Sequence, residues 1–153
     1  MTKLYSRNLS LPMGRVFLQS DGVAITAAGF GTQPETDSCP VIDRCKKELQ
    51  DYCSGRGQSF TVPLQPRGTE FQEKIWALLR KIPYGQTVTY GALAQKAGIP
   101  KGARAVGMAC NRNPIAILIP CHRVVGSTGA LTGYAGGLEF KRALLELEGI
   151  CHG

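Results

Sequence analysis

Hydrophobic and polar positions along the first 66 residues predict a small sheet with one helix packed against it. Two extended apolar segments, residues 9–19 and 23–30, are joined by an Asp-Gly pair, which predicts a hairpin between them. Apolar residues follow a helical spacing over residues 40–54, and residues 60–64 have the composition of a further strand. We therefore expect residues 1–66 to form a small α/β domain.

The pattern from residue 67 onward predicts mainly helices. Thr69 followed by Gln72 matches a capping box, and the apolar stripe after it predicts the first helix of this part. Two short helices are predicted at residues 90–97 and 103–110, on either side of a glycine-containing connection. Because such a pair is typical of a helix-turn-helix, we expect residues 67–153 to form a helical domain of that kind.

A short apolar run and a last helix complete the predicted second domain. Residues 115–119 are apolar and mostly branched, and they lie between Pro114 and Pro120. We expect a buried extended segment whose ends are stiffened by the two prolines. A helix is predicted over residues 138–148, with its apolar side chains facing the core and Lys141 in solvent.

Cys121 and His122 follow the second proline directly. A thiol on a rigid backbone at the edge of the core, with an imidazole beside it, is typical of a reactive cysteine. Cysteine is also a common small apolar residue of protein cores. From these residues alone, both interpretations stay open.

Composition narrows the classes of protein that fit. Six cysteines lack close C-x-x-C pairs, and only two histidines accompany them, so we predict no metal site and no cofactor. No apolar run approaches the roughly 18 residues of a membrane helix, and no secretory signal is visible. We expect a cytoplasmic protein, or a nuclear one in a eukaryote, with reduced thiols and no membrane partner.

Charge is distributed unevenly along the chain. Residues 1–66 contain seven basic and six acidic residues, whereas residues 74–138 contain eight basic residues and no acidic residue. A surface of this kind attracts polyanions and releases their counterions on contact. The charge pattern therefore favours nucleic acid as a partner, although a solvated basic face without a partner would have the same composition.

The predicted helix at residues 103–110 has little capacity to read base sequence. Helices that read the major groove usually present Arg, Asn or Gln. This helix has one long side chain near its start, Arg104, and otherwise mostly small ones, among them Ala103, Ala105 and Gly107. We expect it to approach DNA closely through the minor groove without sequence preference. An ordinary helix–helix contact through small residues is the alternative.

A cysteine near such a DNA surface suggests chemistry on a damaged base, which must first leave the stack. Pro120-Cys121-His122-Arg123-Val124 strongly resembles the active-site motif of the O6-alkylguanine-DNA alkyltransferases, or methylated-DNA–protein-cysteine methyltransferases. The similarity spans residues 69–150 and includes Val88-Thr89-Tyr90-Gly91, Ala103-Arg104-Ala105-Val106-Gly107, Asn113-Pro114 and Gly133-Tyr134. It implies a ribonuclease-H-like fold for residues 1–66 and a winged-helix-like helix-turn-helix domain for residues 67–153.

The resemblance implies a role for each residue of the site. Cys121 is the expected alkyl acceptor, His122 its base through a water, and Glu148 the group that orients His122. Asn113 is expected to brace the active-site turn, and Tyr90 to assist the guanine leaving group. The residues expected to contact DNA are Arg104, which would fill the gap in the base stack, with Tyr90, Ala103, Ala105, Gly107 and Arg112. Those expected to enclose the flipped base are Tyr134, Ala135, Gly136 and Gly137.

The implied activity is single-turnover repair of double-stranded DNA, in which an alkyl group moves from O6 of guanine, and from O4 of thymine, to Cys121. The residues support it, because only a thiolate is nucleophilic enough and a free thiol needs a base at neutral pH. The alternative is a non-catalytic lesion-binding protein that recruits other repair factors, a class that typically has Trp at the nucleophile position. A regulator whose cysteine senses alkylation would need a sequence-reading helix or a second DNA-binding domain, and the sequence indicates neither. We expect a monomer, and leave open whether it binds DNA cooperatively.

Overall fold

The computed structural model describes residues 3–129, 131 and 133–150. The chain divides into two compact units. The first comprises the chain up to Arg67 together with Pro114–Ala116, and the second comprises Gly68–Asn113 and the chain from Ile117 onward. Within the described residues, no helix is long and apolar enough to cross a membrane.

The first unit contains an antiparallel sheet of three strands in the order β1-β2-β3, with one helix against it. The elements are β1 (Tyr5–Leu11), β2 (Gly14–Ser20), β3 (Ile25–Phe30) and α1 (Pro40–Cys53). The Asp-Gly hairpin prediction is confirmed, because β2 and β3 pair across it and Asp21 Oδ1 accepts hydrogen bonds from the Val23 and Ala24 amides at 2.9 and 3.0 Å. Helix α1 buries one face against the strands, through Ile42, Cys45, Leu49 and Tyr52.

Two strand predictions in this unit are wrong. Residues 9–19 do not form one strand, because a turn at Pro12 and Met13 folds β1 back onto β2. The expected strand at residues 60–64 is reduced to a single parallel bridge between Ile25 and Leu64. In both places, the apolar composition predicted burial correctly for some residues, but a proline removed the amide donor that a continuous ladder requires.

The apolar run at residues 115–119 is buried as expected, but it is not one extended segment. Ile115 forms a parallel bridge with Ala28, whose amide donates to Pro114 O and whose carbonyl accepts from the Ala116 amide, both at 2.9 Å. The chain then turns at Ile117, which has a φ of 72°. A branched residue rarely adopts this left-handed conformation, so the surrounding packing must hold it there.

The second unit is mainly helical and has one two-stranded parallel sheet. Its elements are α2 (Glu70–Leu79), β4 (Val88–Thr89), α3 (Tyr90–Lys96), α4 (Ala103–Asn111), one 3₁₀ turn (Cys121–Arg123), β5 (Val124–Val125) and α5 (Leu138–Leu147). The capping box is confirmed, since Thr69 Oγ1 accepts from the Gln72 amide at 3.1 Å and Gln72 Oε1 accepts from the Thr69 amide at 3.0 Å. These bonds satisfy donors that the first helical turn leaves open.

Trp76 fixes α2 against α4. The side chain is buried, and its Nε1 donates to Ala109 O at 2.9 Å. Gly68 lies so close that a Cβ there would stand 2.4 Å from the indole ring. Helix α4 also packs on α3, whose N-terminus is capped by Thr89 Oγ1 accepting from the Ala92 amide at 3.0 Å. These contacts set the position of the outer face of α4.

Candidate active site

Cys121 lies at the start of the 3₁₀ turn, with only 8% of its surface exposed. Its amide donates to Ile119 O at 2.8 Å, which closes a tight turn immediately before the thiol. Asn113 Nδ2 donates to the same carbonyl at 2.8 Å and to Cys121 Sγ at 3.3 Å. One amide side chain therefore fixes both the backbone turn and the sulfur that follows it.

Burial raises the pKa of the Cys121 thiol, because an apolar environment disfavours the thiolate. Three influences oppose that effect and favour the charged form: the hydrogen bond from Asn113, the nearby ammonium of Lys141, and a hydrogen bond from the backbone of Cys121 itself. Burial is the largest influence, so the pKa remains above the ordinary value. At neutral pH the sulfur carries its proton and requires a base before it can act as a nucleophile.

His122 is fully buried beside the thiol, and its Nε2 lies 2.8 Å from Glu148 Oε2. Burial lowers the pKa of the imidazole, and Glu148 opposes that shift without cancelling it. A neutral ring must donate from Nε2, because an ionised carboxylate can only accept. The lone pair then resides on Nδ1, which is buried and has no hydrogen-bond partner among the described residues. The ring is therefore arranged to receive a proton at Nδ1.

Glu148 is buried at the C-terminal end of α5 and accepts four hydrogen bonds. Arg123 donates from Nε to Oε1 and from Nη2 to Oε2, each at 2.9 Å, and His122 and the Gly85 amide provide the other two donors. Arg123 Nη1 also donates to Ile82 O at 2.7 Å. The Arg123 guanidinium balances the carboxylate charge, so the acceptor for the histidine is ionised and fixed in place.

Lys141 is fully buried, so the expectation that it lies in solvent is wrong. Its Nζ donates to Val124 O at 2.7 Å and lies 6.0 Å from the centroid of the Tyr90 ring. Burial lowers the pKa of the amine, while the Cys121 and Cys110 thiols act in the opposite direction. A cation is thereby held close to the position where a thiolate forms.

Tyr90 begins α3, and its ring faces α4. A Cβ at Gly107 would stand 3.8 Å from the ring, so a side chain longer than a methyl group would meet it. A hollow of about 600 Å³ is lined by Tyr90, Ala103, Arg104 and Gly107, together with Gly91, Met108, Asn111, Ser127 and Gly133. Arg112 and Ala105 lie elsewhere, in a second hollow of about 210 Å³ beside α2.

The expected pocket residues precede α5. Tyr134 is half-buried with its hydroxyl oxygen fully covered, and burial together with the nearby Cys121 raises its pKa well above the ordinary value. Gly137 donates its amide to Tyr134 O at 2.9 Å, which closes a turn with a φ of 92° at Gly137. Ala135 is exposed and Gly136 half-buried in this turn. Of the four, Tyr134 is the one whose side chain interacts with the thiol.

Comparison with known proteins identifies the family. The profile of the 6-O-methylguanine DNA methyltransferase DNA-binding domain matches residues 70–150. A methylated-DNA–protein-cysteine methyltransferase of Methanosarcina acetivorans is 57% identical over 156 residues, covering 97% of this chain and 100% of that protein. This chain belongs to the methylated-DNA–protein-cysteine methyltransferase family. A member from Haemophilus influenzae is 43% identical over 159 residues, covering 98% of this chain and 89% of that protein.

The mixed α/β fold of this methyltransferase-family chain is also that of a solved relative. The crystal structure of Mycobacterium tuberculosis OGT in complex with DNA has a TM-score of 0.88 at 43% identity, and covers 94% of this chain and 91% of that chain. The prediction of the family from the sequence motifs is confirmed, as is the α/β class.

Sequence reasoning missed three groups in this methyltransferase-family site. Lys141 was assigned to solvent, although its spacing from Leu144 places both on the buried face of α5. Arg123 was counted with the basic surface, yet it is buried in an ion pair with Glu148. The third group is the backbone amide of Gly85, which donates to Glu148 and which no side chain in the sequence could indicate. In the part of the chain that is described, no three His, Cys, Asp or Glu residues lie close enough to hold a metal.

Proposed function

We propose that this chain repairs O6-alkylguanine in double-stranded DNA by moving the alkyl group to its own Cys121 in a single turnover. The observation that carries the proposal is the buried thiol, hydrogen-bonded by Asn113 and adjacent to a neutral imidazole, in a chain of this family. The same thiol argues against a non-catalytic lesion-binding protein, which has no need of a nucleophile. O4-alkylthymine is a second substrate in this proposal.

Proton removal is the first step. The Cys121 thiol passes its proton through a water to Nδ1 of His122, whose Nε2–H is held by Glu148. The imidazolium that forms is stabilised by the carboxylate, and the thiolate by the Asn113 amide. The nearby Lys141 ammonium adds to the stabilisation of the thiolate. Together these groups offset the cost of a charge in a buried site.

The second step is a direct displacement. Sγ of Cys121 bonds to the alkyl carbon while the carbon–O6 bond breaks, and the electron pair of that bond leaves with the guanine. Tyr90 donates a hydrogen bond or its proton to the leaving base, which lowers the barrier by stabilising developing negative charge. The product is a thioether, and no residue proposed for the reaction is of a kind that hydrolyses one. One protein molecule therefore repairs one lesion.

We propose that the helix-turn-helix formed by α3 and α4 contacts DNA and enters the minor groove without sequence preference. Arg104 is exposed near the start of α4 and would fill the space left by the flipped base. Tyr90 would contact the rotated phosphate, and Arg112 a more distant one. The small residues Ala103, Ala105 and Gly107 let the helix backbone come close to the sugars. Among the basic residues between 74 and 138, all but Arg123 are exposed, which supports a polyanionic partner.

The flipped guanine would lie against Tyr134, with the backbone of Ala135, Gly136 and Gly137 closing the pocket. The proximity of Tyr134 to Cys121 supports this arrangement.

For the remaining architecture we propose a ribonuclease-H-like domain over residues 1–66 and a winged-helix-like domain over residues 67–153. We propose a monomer that acts where the DNA of the cell lies, in the cytoplasm or in a eukaryotic nucleus.

The decisive experiment uses duplex DNA with a radiolabelled methyl group on guanine O6. The wild-type protein should take up one equivalent of label and then stop, and Cys121→Ala should take up none. Cys110→Ala is the matched control, since this buried thiol lies near Cys121 and Lys141 but has no proposed role. Repeated turnover by the wild type, or label on the Cys121→Ala protein, would contradict the mechanism.

A further inference from the structure

Met108 is the most exposed large apolar side chain described in the second unit, with 58% of its surface accessible. It lies on the outer face of α4, one helical turn after Arg104. The sequence predicted one long side chain near the start of this helix, Arg104, and otherwise mostly small ones. The structure instead presents two projections on the same face, one cationic and one apolar.

The position of Met108 is that of a ridge between two hollows. On one side lies the hollow of about 600 Å³ that Tyr90, Arg104 and Ser127 line. On the other lies the hollow of about 210 Å³ that Gln72 and Arg112 line. Among the described residues, Met108 alone lines both hollows. A ridge flanked by two concave surfaces is complementary to a groove flanked by two raised strands.

The charge around Met108 favours duplex DNA over a protein partner. Arg104 and Arg112 are exposed on either side of it, and residues 74–138 contain no acidic residue. A protein covering this face would have to desolvate those cations or supply acidic partners for them. A DNA duplex places phosphates on both sides of a minor groove, whose walls are formed by sugars and whose floor is formed by base edges.

We propose that Met108 enters the minor groove beside Arg104 as a second projection, packs on sugars and base edges, and opens a neighbouring base step. This inference rests on the proposed function. Residues four apart in a helix are separated by about 6 Å along its axis, whereas stacked bases are about 3.4 Å apart. Met108 therefore meets the duplex one or two steps from the position of Arg104. Minor-groove proteins use methionine and similar side chains to unstack and bend DNA in this way.

The consequence is a division of labour along α4. Met108 bends and widens the groove, which weakens stacking around the damaged nucleotide, and Arg104 holds the vacancy once the nucleotide has left. Such an effect applies only to a base inside a duplex. A free alkylated base has no stack to leave, so its reaction with Cys121 is independent of Met108.

The test compares Met108→Ala, Met108→Gln and Met108→Leu, with Val23→Ala as a control that removes an exposed apolar group from the first unit. Three quantities are measured: the rate of methyl transfer from duplex DNA, the rate of benzyl transfer from free O6-benzylguanine, and DNA bending by fluorescence energy transfer between labelled duplex ends. Loss of apolar contact in the Ala and Gln variants should lower the duplex rate ~10-fold and reduce bending.

Met108→Leu and Val23→Ala should keep both DNA properties within about 2-fold of the wild type, since leucine retains a comparable apolar surface. All variants should keep the rate with free O6-benzylguanine. The proposal is overturned if Met108→Ala and Met108→Gln repair and bend duplex DNA as the wild type does. It is also overturned if Met108→Gln alone keeps the wild-type duplex rate and bending, or if the variants lose equal rate on duplex DNA and on the free base. Failure of the wild-type protein to accept alkyl groups from either substrate would refute the proposed function itself.

Discussion

Arg123 and Glu148 form a buried bidentate ion pair, with Nε and Nη2 each 2.9 Å from a carboxylate oxygen. The pair joins the 3₁₀ turn of the nucleophile to the end of α5. Because the same carboxylate holds His122, the geometry of the base depends on a charge that takes no part in the reaction. Removal of the Arg123 charge should therefore lower both the stability of the protein and the rate of alkyl transfer.

Arg123→Met should lower the free energy of unfolding by about 3 kcal/mol, because it leaves the buried Glu148 charge without its cation. Combining it with Glu148→Gln removes that charge, so the double variant should be less destabilised than the sum of the single variants. Urea denaturation at pH 7 measures all three proteins. Additive losses, agreeing within about 0.5 kcal/mol, would show that the two residues do not interact.

The rate of alkyl transfer should fall only at pH values below the ordinary histidine pKa of 6.5, since burial lowers the pKa of His122. Above its lowered pKa the ring is neutral and accepts a proton, and below it the ring is already protonated. His122→Asn should react about 10²- to 10⁴-fold more slowly at pH 7. Its rate should rise with pH through the alkaline range, because burial raises the pKa of Cys121.

The same depressed pKa predicts how stability depends on pH. The unfolded chain binds a proton at His122 near pH 6.5, whereas the folded chain binds it only at a lower pH. The contribution of this group is therefore fully present above pH 6.5 and is lost as the pH falls toward the folded value. Thermal unfolding of the wild type and of His122→Asn across this pH range measures the contribution of His122. Identical dependence of the unfolding temperature on pH in the two proteins would contradict a lowered pKa for His122.

Lys141→Met should raise the apparent pKa of the Cys121 thiol further, because it removes a nearby cation that favours the thiolate. The pH dependence of iodoacetamide labelling at Cys121, followed by peptide mass spectrometry, measures this pKa. Arg142→Met is the matched control, since Arg142 is the exposed neighbour on the same helix. Equal shifts in both variants would mean that net charge, and not the position of Lys141, is responsible.

Gly107→Ala should separate stability from repair. Alanine is favoured over glycine inside a helix by up to about 1 kcal/mol, and its Cβ would make only ordinary contact with the Tyr90 ring. The thermal midpoint should therefore rise, while methyl transfer from duplex DNA slows because α4 can no longer approach as closely. The rate with free O6-benzylguanine is the internal reference and should not change.

Arg104→Ala should slow methyl transfer from duplex DNA about 10-fold or more, because the vacated position in the stack is no longer filled. Arg80→Ala removes an equally exposed cation at the end of α2 and serves as its control. Both variants should show a reduced salt dependence of DNA binding if both residues lie near phosphates. Only Arg104→Ala should lose duplex repair while keeping the reaction with the free base. A comparable loss of duplex repair in Arg104→Ala and Arg80→Ala would contradict the role of Arg104 in the base stack.

Local signals in the sequence predicted much of this fold. The capping box at Thr69 and Gln72 places a helix start correctly, because the bonds involved span only three residues. The turn at Pro12 was missed because the apolar pattern continues across it. The left-handed Ile117 could not be anticipated, since its conformation opposes the preference of a branched residue and depends on packing from elsewhere.

The site was predictable where it follows a motif, and not where it depends on distant charge. Cys121 and His122 are adjacent in sequence, and Asn113 lies eight residues before the thiol. The burial of Lys141 and Arg123 contradicts the usual preference of charged residues for solvent. Each is compensated by partners far along the chain: Val124 for the lysine, Ile82 and Glu148 for the arginine.

Those distant partners have a consequence for how reactivity arises during folding. Glu148 receives the Gly85 amide across 63 residues of chain, and the Tyr84 hydroxyl donates to Leu147 O across the same separation. Contacts of such high sequence separation close late, because the entropy of ordering the intervening loop must be offset first. The thiol therefore has no working base in a partly folded chain. Repair by Cys121 begins only once the last helix has docked and Glu148 holds His122.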